Sequence, residues 1–130
     1  MSKVKAIKLY AGQFKTEVID ISKEDFLDDC YEHINCRCID ITTGIHKEHY
    51  IDIVVDDEGL LKDDCVANPI AWYLYSKCDA RYVIVGNALL IGTNEDGETV
   101  DVPKFFIDNL DDIVMSTQDA IHNKLRQILD

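Results

Sequence analysis

Apolar and polar residues alternate with period two over residues 3–10, where Lys3 and Lys5 interleave with Val4, Ala6 and Ile7. That spacing predicts a first strand with one face buried. Gly12 supplies a turn, and Phe14, Thr16 and Val18 alternate with polar neighbours, so residues 14–20 are expected to return as a hairpin partner. The period then lengthens. Phe26, Leu27, Cys30, Tyr31 and Ile34 fall on one helical stripe that also includes His33, with Ser22 as the expected cap and Glu24 and Asp25 at the positive end of the dipole. Residues 36–41 alternate again and predict a third strand, which Thr42-Thr43-Gly44 is expected to close as a turn.

Tyr50–Val55 is a strong strand pattern ending in the acidic turn Asp56-Asp57-Glu58-Gly59. Asn68-Pro69 reads as a helix start, asparagine capping and proline at the first helical position, with Ile70, Ala71, Tyr73, Leu74 and Lys77 inside the helix and Trp72 on a flank. Residues 81–91 are the most apolar stretch and predict a central strand bent at Gly86-Asn87. Asn94-Glu95-Asp96-Gly97 predicts a hairpin turn, residues 98–102 a short return strand, and Pro103 the opening of a helical region with Phe105, Phe106, Ile107 and Leu110. Ser116 is expected to cap a last amphipathic helix carrying Ile121, Leu125, Ile128 and Leu129, a face that packs on the same domain or leaves a homodimer or higher homo-oligomer open. Strands in hairpins with helices inserted singly predict an α+β fold: a mainly antiparallel sheet with three to four short helices packed against it.

The 130 residues hold no repeat, linker or low-complexity run, so 1–130 is read as one domain. Apolar residues make up 47% of the chain, enough for a core without staples. The net charge of −12 argues against nucleic acid as a partner and towards a basic protein surface or simple solubility. No apolar run follows the opening residues and none approaches the ~18 residues of a membrane span, so a cytoplasmic location without membrane association is expected. The five cysteines are then expected as reduced thiols.

Candidate chemistry is sparse. Cys30, His33, Cys36 and Cys38 could converge on zinc at a helix-to-strand turn, but buried thiols on a core face are the preferred reading, and no metal is assigned. His46 and His49 are placed in a loop before the next strand and are read as solvated. The acids at Asp52, Asp56, Asp57, Glu58, Asp63 and Asp64 miss the register of a calcium loop. No nucleophile elbow, phosphate loop or dinucleotide fingerprint occurs, and Cys30 lies too late in its helix to be activated by the dipole, so the chain is not expected to be an enzyme or to need a cofactor. One region mixes rings, cations and a helix start within 20 residues: Asn68, Trp72, Tyr73, Tyr75, Lys77, Arg81, Tyr82 and Asn87. Rings can stack on a base, and cations and helix N-terminal N–H groups suit phosphates. Core tyrosines and solvated cations are the competing reading. From this region Asn68, Trp72, Tyr73, Lys77, Arg81, Tyr82 and Asn87 are taken as the candidate ligand-binding set.

Residues 50–102 resemble a small uncharacterised domain family carried by phages and plasmids of Gram-positive bacteria. The resemblance rests on Ile51–Gly59, Asn68-Pro69-Ile70-Ala71 and Tyr82–Ile91, with Val4-Lys5-Ala6-Ile7 also similar, and the helices after Pro103 lie outside its pattern. It implies a dispensable accessory role on a mobile element, such as evading host defence, and no reaction. Together with the aromatic–cation region it leads to a non-catalytic protein that antagonises bacterial defence by binding and sequestering a small nucleotide-like immune signal in the host cytoplasm. The alternative is an acidic DNA-mimic-like protein that covers the basic surface of a host defence or DNA-binding protein.

Overall fold

A computed structural model describes residues 2–129; Met1 and Asp130, which the single-domain reading includes, lie outside them. The strands are β1 (Lys3–Leu9), β2 (Thr16–Ser22), β3 (Ile39–His46), β4 (His49–Asp56), β5 (Ala88–Thr93) and β6 (Thr99–Val100). The helices are α1 (Phe26–Ile34), α2 (Pro69–Ser76), α3 (Lys104–Asp108) and α4 (Leu110–Leu129), with short 3₁₀ turns at Gly59–Leu61 and Ala80–Tyr82. The sheet runs β2-β1-β5-β4-β3 with β6 paired to the end of β5, and every pairing is antiparallel. The expected α+β class is what the chain forms, although α4 is long, at 20 residues.

The sheet has a core on each face. Val4, Ala6, Ile21, Val54, Leu89 and Ile91 point to one side, where α1 adds Cys30 and Ile34. Ile7, Leu9, Ile51, Ile53, Ala88 and Leu90 point to the other, under α2, α3 and α4, which contribute Ile70, Leu74, Phe106 and Ile113. Strand β5 therefore buries both of its faces, as its apolar run predicts. Edge strand β2 is covered on one face only, so Ile19 and Ile21 turn towards the core while Val18, opposite Ile7, stays exposed.

Four boundaries depart from the sequence pattern. Thr42-Thr43-Gly44 is not a turn. Strand β3 continues through it to His46, paired along its whole length with β4, and the reversal falls at Lys47-Glu48. Both of those residues have positive φ (47° and 69°), the conformation of a two-residue type I′ hairpin. Gly44 is small because α2 lies on it: a Cβ there would sit 2.7 Å from Ile53 Cδ1 and 3.0 Å from Leu74 Cβ. Second, residues 81–87 are not strand. Only Ala88–Thr93 pairs regularly, because Asp79 folds residues 80–82 into a turn and Gly86 bends the chain at φ 82°. Third, Ser22 ends β2 rather than directly capping α1, although its Oγ accepts from the Asp25 N–H as a local turn. Fourth, Ser116 caps nothing: α4 passes straight through it, and Thr117 beside it is buried with its hydroxyl donating to the Ile113 carbonyl.

Substituting Gly44→Ala should cost about 1–3 kcal/mol, the usual penalty for overpacking against a neighbour that cannot retreat. Urea unfolding monitored by tryptophan fluorescence measures this; an unchanged midpoint would mean that α2 does not rest on β3 at this point.

Candidate functional site

Helix α2 begins as the sequence predicts. The Asn68 side-chain oxygen accepts from the Ala71 N–H, and Pro69 occupies the first turn. The Asn68 amide nitrogen donates to the carbonyls of Leu9 and Gly86, both at 3.0 Å. Asn68 is fully buried, and this side chain ties the start of α2 to β1 and to the bend before β5. Asn87 acts similarly: its oxygen accepts from the Ala11 N–H and its nitrogen donates to the His33 carbonyl. Both candidate asparagines thus spend their polar atoms on the fold.

The end of α2 builds a different feature. Lys77 and Cys78 both take left-handed backbone, at φ 54° and 64°, which reverses the chain sharply. The Trp72 indole N–H donates to the Asp79 carbonyl, and the Ser76 hydroxyl donates towards the Trp72 and Tyr82 carbonyls, binding the 79–82 turn against the helix. Tyr82 then meets Tyr75 edge-on, with ring centroids 6.5 Å apart at 89°. These two rings, with Ser76 and Asp79, line an open hollow of about 360 Å³. At its rim Asp79 holds the Arg81 guanidinium by two N–H donors, at 3.1 and 2.8 Å, with the guanidinium carbon 5.5 Å from the Tyr82 ring centre. The same fork keeps the Asp79 carboxyl down at about 2. A guanidinium has five N–H donors, so three remain available. Trp72, Arg81 and Tyr82 are therefore brought together. Tyr75, which lies about a quarter of a turn off the stripe of Ile70, Ala71 and Leu74, completes the pair and is not one of the candidate ligand-binding residues.

Tyr73 and Lys77 leave that group for another. The Tyr73 hydroxyl lies 3.0 Å from His46 Nδ1, and His46 Nε2 lies 2.8 Å from the Asp112 carboxylate on α4. With Nε2–H donating to the carboxylate, Nδ1 is left to accept from the phenol. Lys47 reaches the same carboxylate at 2.9 Å. The Lys77 ammonium donates to the Ile45 carbonyl and sits 4.2 Å above the Tyr73 ring. His49 stacks on Phe105 at 3.6 Å. The expectation of two solvated loop histidines is overturned for His46, which is completely buried. It is buried because the strand continues to residue 46, placing His46 on the same face as Gly44, beneath α2 and α4. This polar clasp joins the β3–β4 hairpin to two helices.

Residues 4–114 match the sequence model of a family described as a domain of unknown function, DUF3846. The chain belongs to the DUF3846 family. The match covers most of β1 to the start of α4, so it extends beyond the 50–102 segment and takes in α3 and the first residues of α4, which lie outside the pattern of the sequence resemblance. No curated protein and no solved structure gives a significant match.

Within this DUF3846 domain other hollows lie around the 56–62 turn. One of about 380 Å³ is bordered by Arg37 and Lys62, and one of about 410 Å³ by Leu60, Leu61 and Val83. Neither is lined by an aromatic ring, and Arg37 and Lys62 are already paired with Glu58 and Asp56. The four residues weighed for zinc are not assembled as a site: Cys30 is in the core beside Ile34, Cys38 is exposed, and among the described residues no group of three or more His, Cys, Asp or Glu could hold a metal ion. Burial pushes the Cys30 thiol up to about 12. No helix among the described residues is long and apolar enough to cross a membrane.

Tyr73→Phe removes the hydroxyl that pairs with buried His46 Nδ1 and should cost about 1–3 kcal/mol, the penalty for stranding a buried polar atom. Acid should weaken the same clasp. Lys47 first, and then His46, hold the Asp112 carboxyl below its usual range. Its contribution is therefore full at neutral pH and is lost as pH falls below about 4 through the lowered value. Asp112→Asn should show lower stability at pH 7 and a shallower loss on acidification, read from thermal melts across pH 2–7. Parallel curves for the two proteins would mean that the carboxylate is idle.

Proposed function

We propose that this chain is a non-catalytic binding protein that takes the base of a nucleotide-derived molecule at the Tyr75–Tyr82 hollow. As an accessory protein of a phage or other mobile element, it would sequester an immune signal of that chemistry in the host bacterial cytoplasm. The observation that carries the reading is the exposed pair of tyrosine rings standing at right angles beside a guanidinium already fixed in place. A hollow of about 360 Å³ suits a small ligand such as a single nucleobase and its sugar. Asp79 orients Arg81 without exhausting its donors, so a phosphate at the rim would meet a pre-positioned fork. Non-catalytic use fits the burial of His46 and the raised thiols of Cys30 and Cys78, which are groups that another fold could make reactive. The role in defence rests on the resemblance of residues 50–102.

Calorimetric titration against cyclic nucleotides and ADP-ribose derivatives tests the proposal. Tyr82→Ala should weaken binding by about 5- to 150-fold, since a base stacked on a ring is worth about 1–3 kcal/mol. Arg81→Ala should weaken phosphorylated ligands and spare the corresponding nucleosides. No heat with any member of the panel, together with undiminished signalling in a cell extract, would remove the idea.

A second reading has its own observation. Asp25, Asp28 and Glu32 are exposed along one side of the start and body of α1, so part of the −12 charge is gathered on that helix. Such a face could cover a basic host protein in the manner of DNA. Binding of that kind would weaken steeply with added salt and ignore Tyr82→Ala.

A further inference from the structure

Helix α4 does two different things along its length. Its first half is fastened to the domain: Ile113 and Thr117 are buried, and Asp112 is held by His46 and Lys47. The family match ends at Val114, within this anchored part. From His122 to Leu129 every residue is exposed, and the helix projects past the core. At 100° per residue, Met115, Gln118, His122, Leu125 and Leu129 recur at spacings of three and four and form one stripe on the side away from Ile113. Met115, Leu125 and Leu129 are 53–83% exposed, and Ile128 beside them is 76% exposed. The stripe follows the seam of a two-helix coiled coil.

The charges flanking the stripe say what covers it. Asp119 and Arg126 lie on the same flank, seven residues apart. If a second α4 runs antiparallel with the two-fold axis between residues 123 and 124, Leu125 meets His122 of the other copy and Leu129 meets Gln118. In that register Asp119 stands opposite Arg126, and by symmetry the pair forms twice, while Ile121 and Ile128 face each other along the opposite flank. We propose that the outer half of α4 pairs antiparallel with α4 of a second copy of this chain. A two-fold contact must be self-complementary, and the opposite charges at one spacing on one flank meet that condition. The register also keeps the two domains at opposite ends of the helix pair, because the overlap uses only the projecting segments. Some twelve residues of overlap give a contact of about 18 Å, shorter than a standard interface, so the dimer is expected to exchange with monomer in the micromolar range.

Sedimentation equilibrium of the full chain from low to high micromolar concentration should show the mass rising from 14.8 kDa towards twice that value. Leu125→Asp should hold it at the monomer mass with its circular dichroism unchanged, since Leu125 supports no core contact. Asp119→Arg and Arg126→Asp should each weaken self-association at least tenfold, by placing like charges opposite one another. Mixing these two single variants should restore dimers, because each then meets its opposite charge twice. A chain that stays monomeric throughout, a dimer indifferent to Leu125→Asp, or a mixture no more associated than its separate components would overturn the proposal. So would a chain that is monomeric in solution and binds vesicles of phosphatidylcholine and phosphatidylserine through this stripe. Tyr82 and the hollow are not part of the contact, so nucleotide titrations and sedimentation fail independently.

Discussion

Strand β5 is the constraint around which the molecule is arranged. Residues 88–92 are all buried, so its alternating side chains must be satisfied on both sides of the sheet at once. Leu89 and Ile91 meet α1, and Ala88 and Leu90 meet the α2–α3–α4 layer. Leu89, Leu90 and Ile91 each contribute about 1.5–3 kcal/mol on burial, together on the order of the whole net stability of a domain. Losing either helical layer would return one face of β5 to water. This is why a chain of this length carries helices on both sides of its sheet, and why β1 and β4 must flank β5 even though β1 lies some eighty residues away in sequence.

The second face is closed by polar rather than apolar means. His46, at the end of β3, links Tyr73 on α2 to Asp112 on α4, and Lys77 and Lys47 brace the same junction. A buried imidazole with both nitrogens partnered rigidifies the elements that it joins, because breaking either bond strands a polar group. The consequence for function is a division of α2. One side of the helix is committed to the clasp and the core, and the residues that turn away from both, Trp72, Tyr75 and Ser76, are the ones left to shape the 79–82 turn and its aromatic hollow. The hollow therefore sits on a helix fixed at its start by Asn68 and along its flank by Tyr73.

The elements with strong local periodicity were legible in the sequence: β1, β4, α1 and the Asn68-Pro69 start of α2 fall close to where hydrophobic spacing and capping chemistry place them. Of the candidate site, Arg81, Tyr82 and Trp72 share a neighbourhood, whereas Tyr73, Lys77, Asn68 and Asn87 are held by structural bonds that their sequence positions do not reveal. Gly44 looked like turn chemistry because glycine is equally suited to a turn and to the close approach of a helix; only the position of Leu74 above it distinguishes the two. His46 looked solvated because nothing within a few residues could bond it.

Alternation, capping residues and acid–base balance thus determined by themselves that this chain forms an antiparallel sheet with helices, a substantial core and a strongly negative surface. These are properties of neighbours within a turn or of composition as a whole. Tertiary structure alone decided that His46 is buried against Asp112, 66 residues away, that Tyr75 rather than Tyr73 pairs with Tyr82, and that the outer half of α4 is left exposed. The reason is physical. Local backbone preference amounts to tenths of a kcal/mol per residue, whereas satisfying one buried polar group or one helix face is worth about 1–3 kcal/mol, so where the two conflict the distant partner prevails.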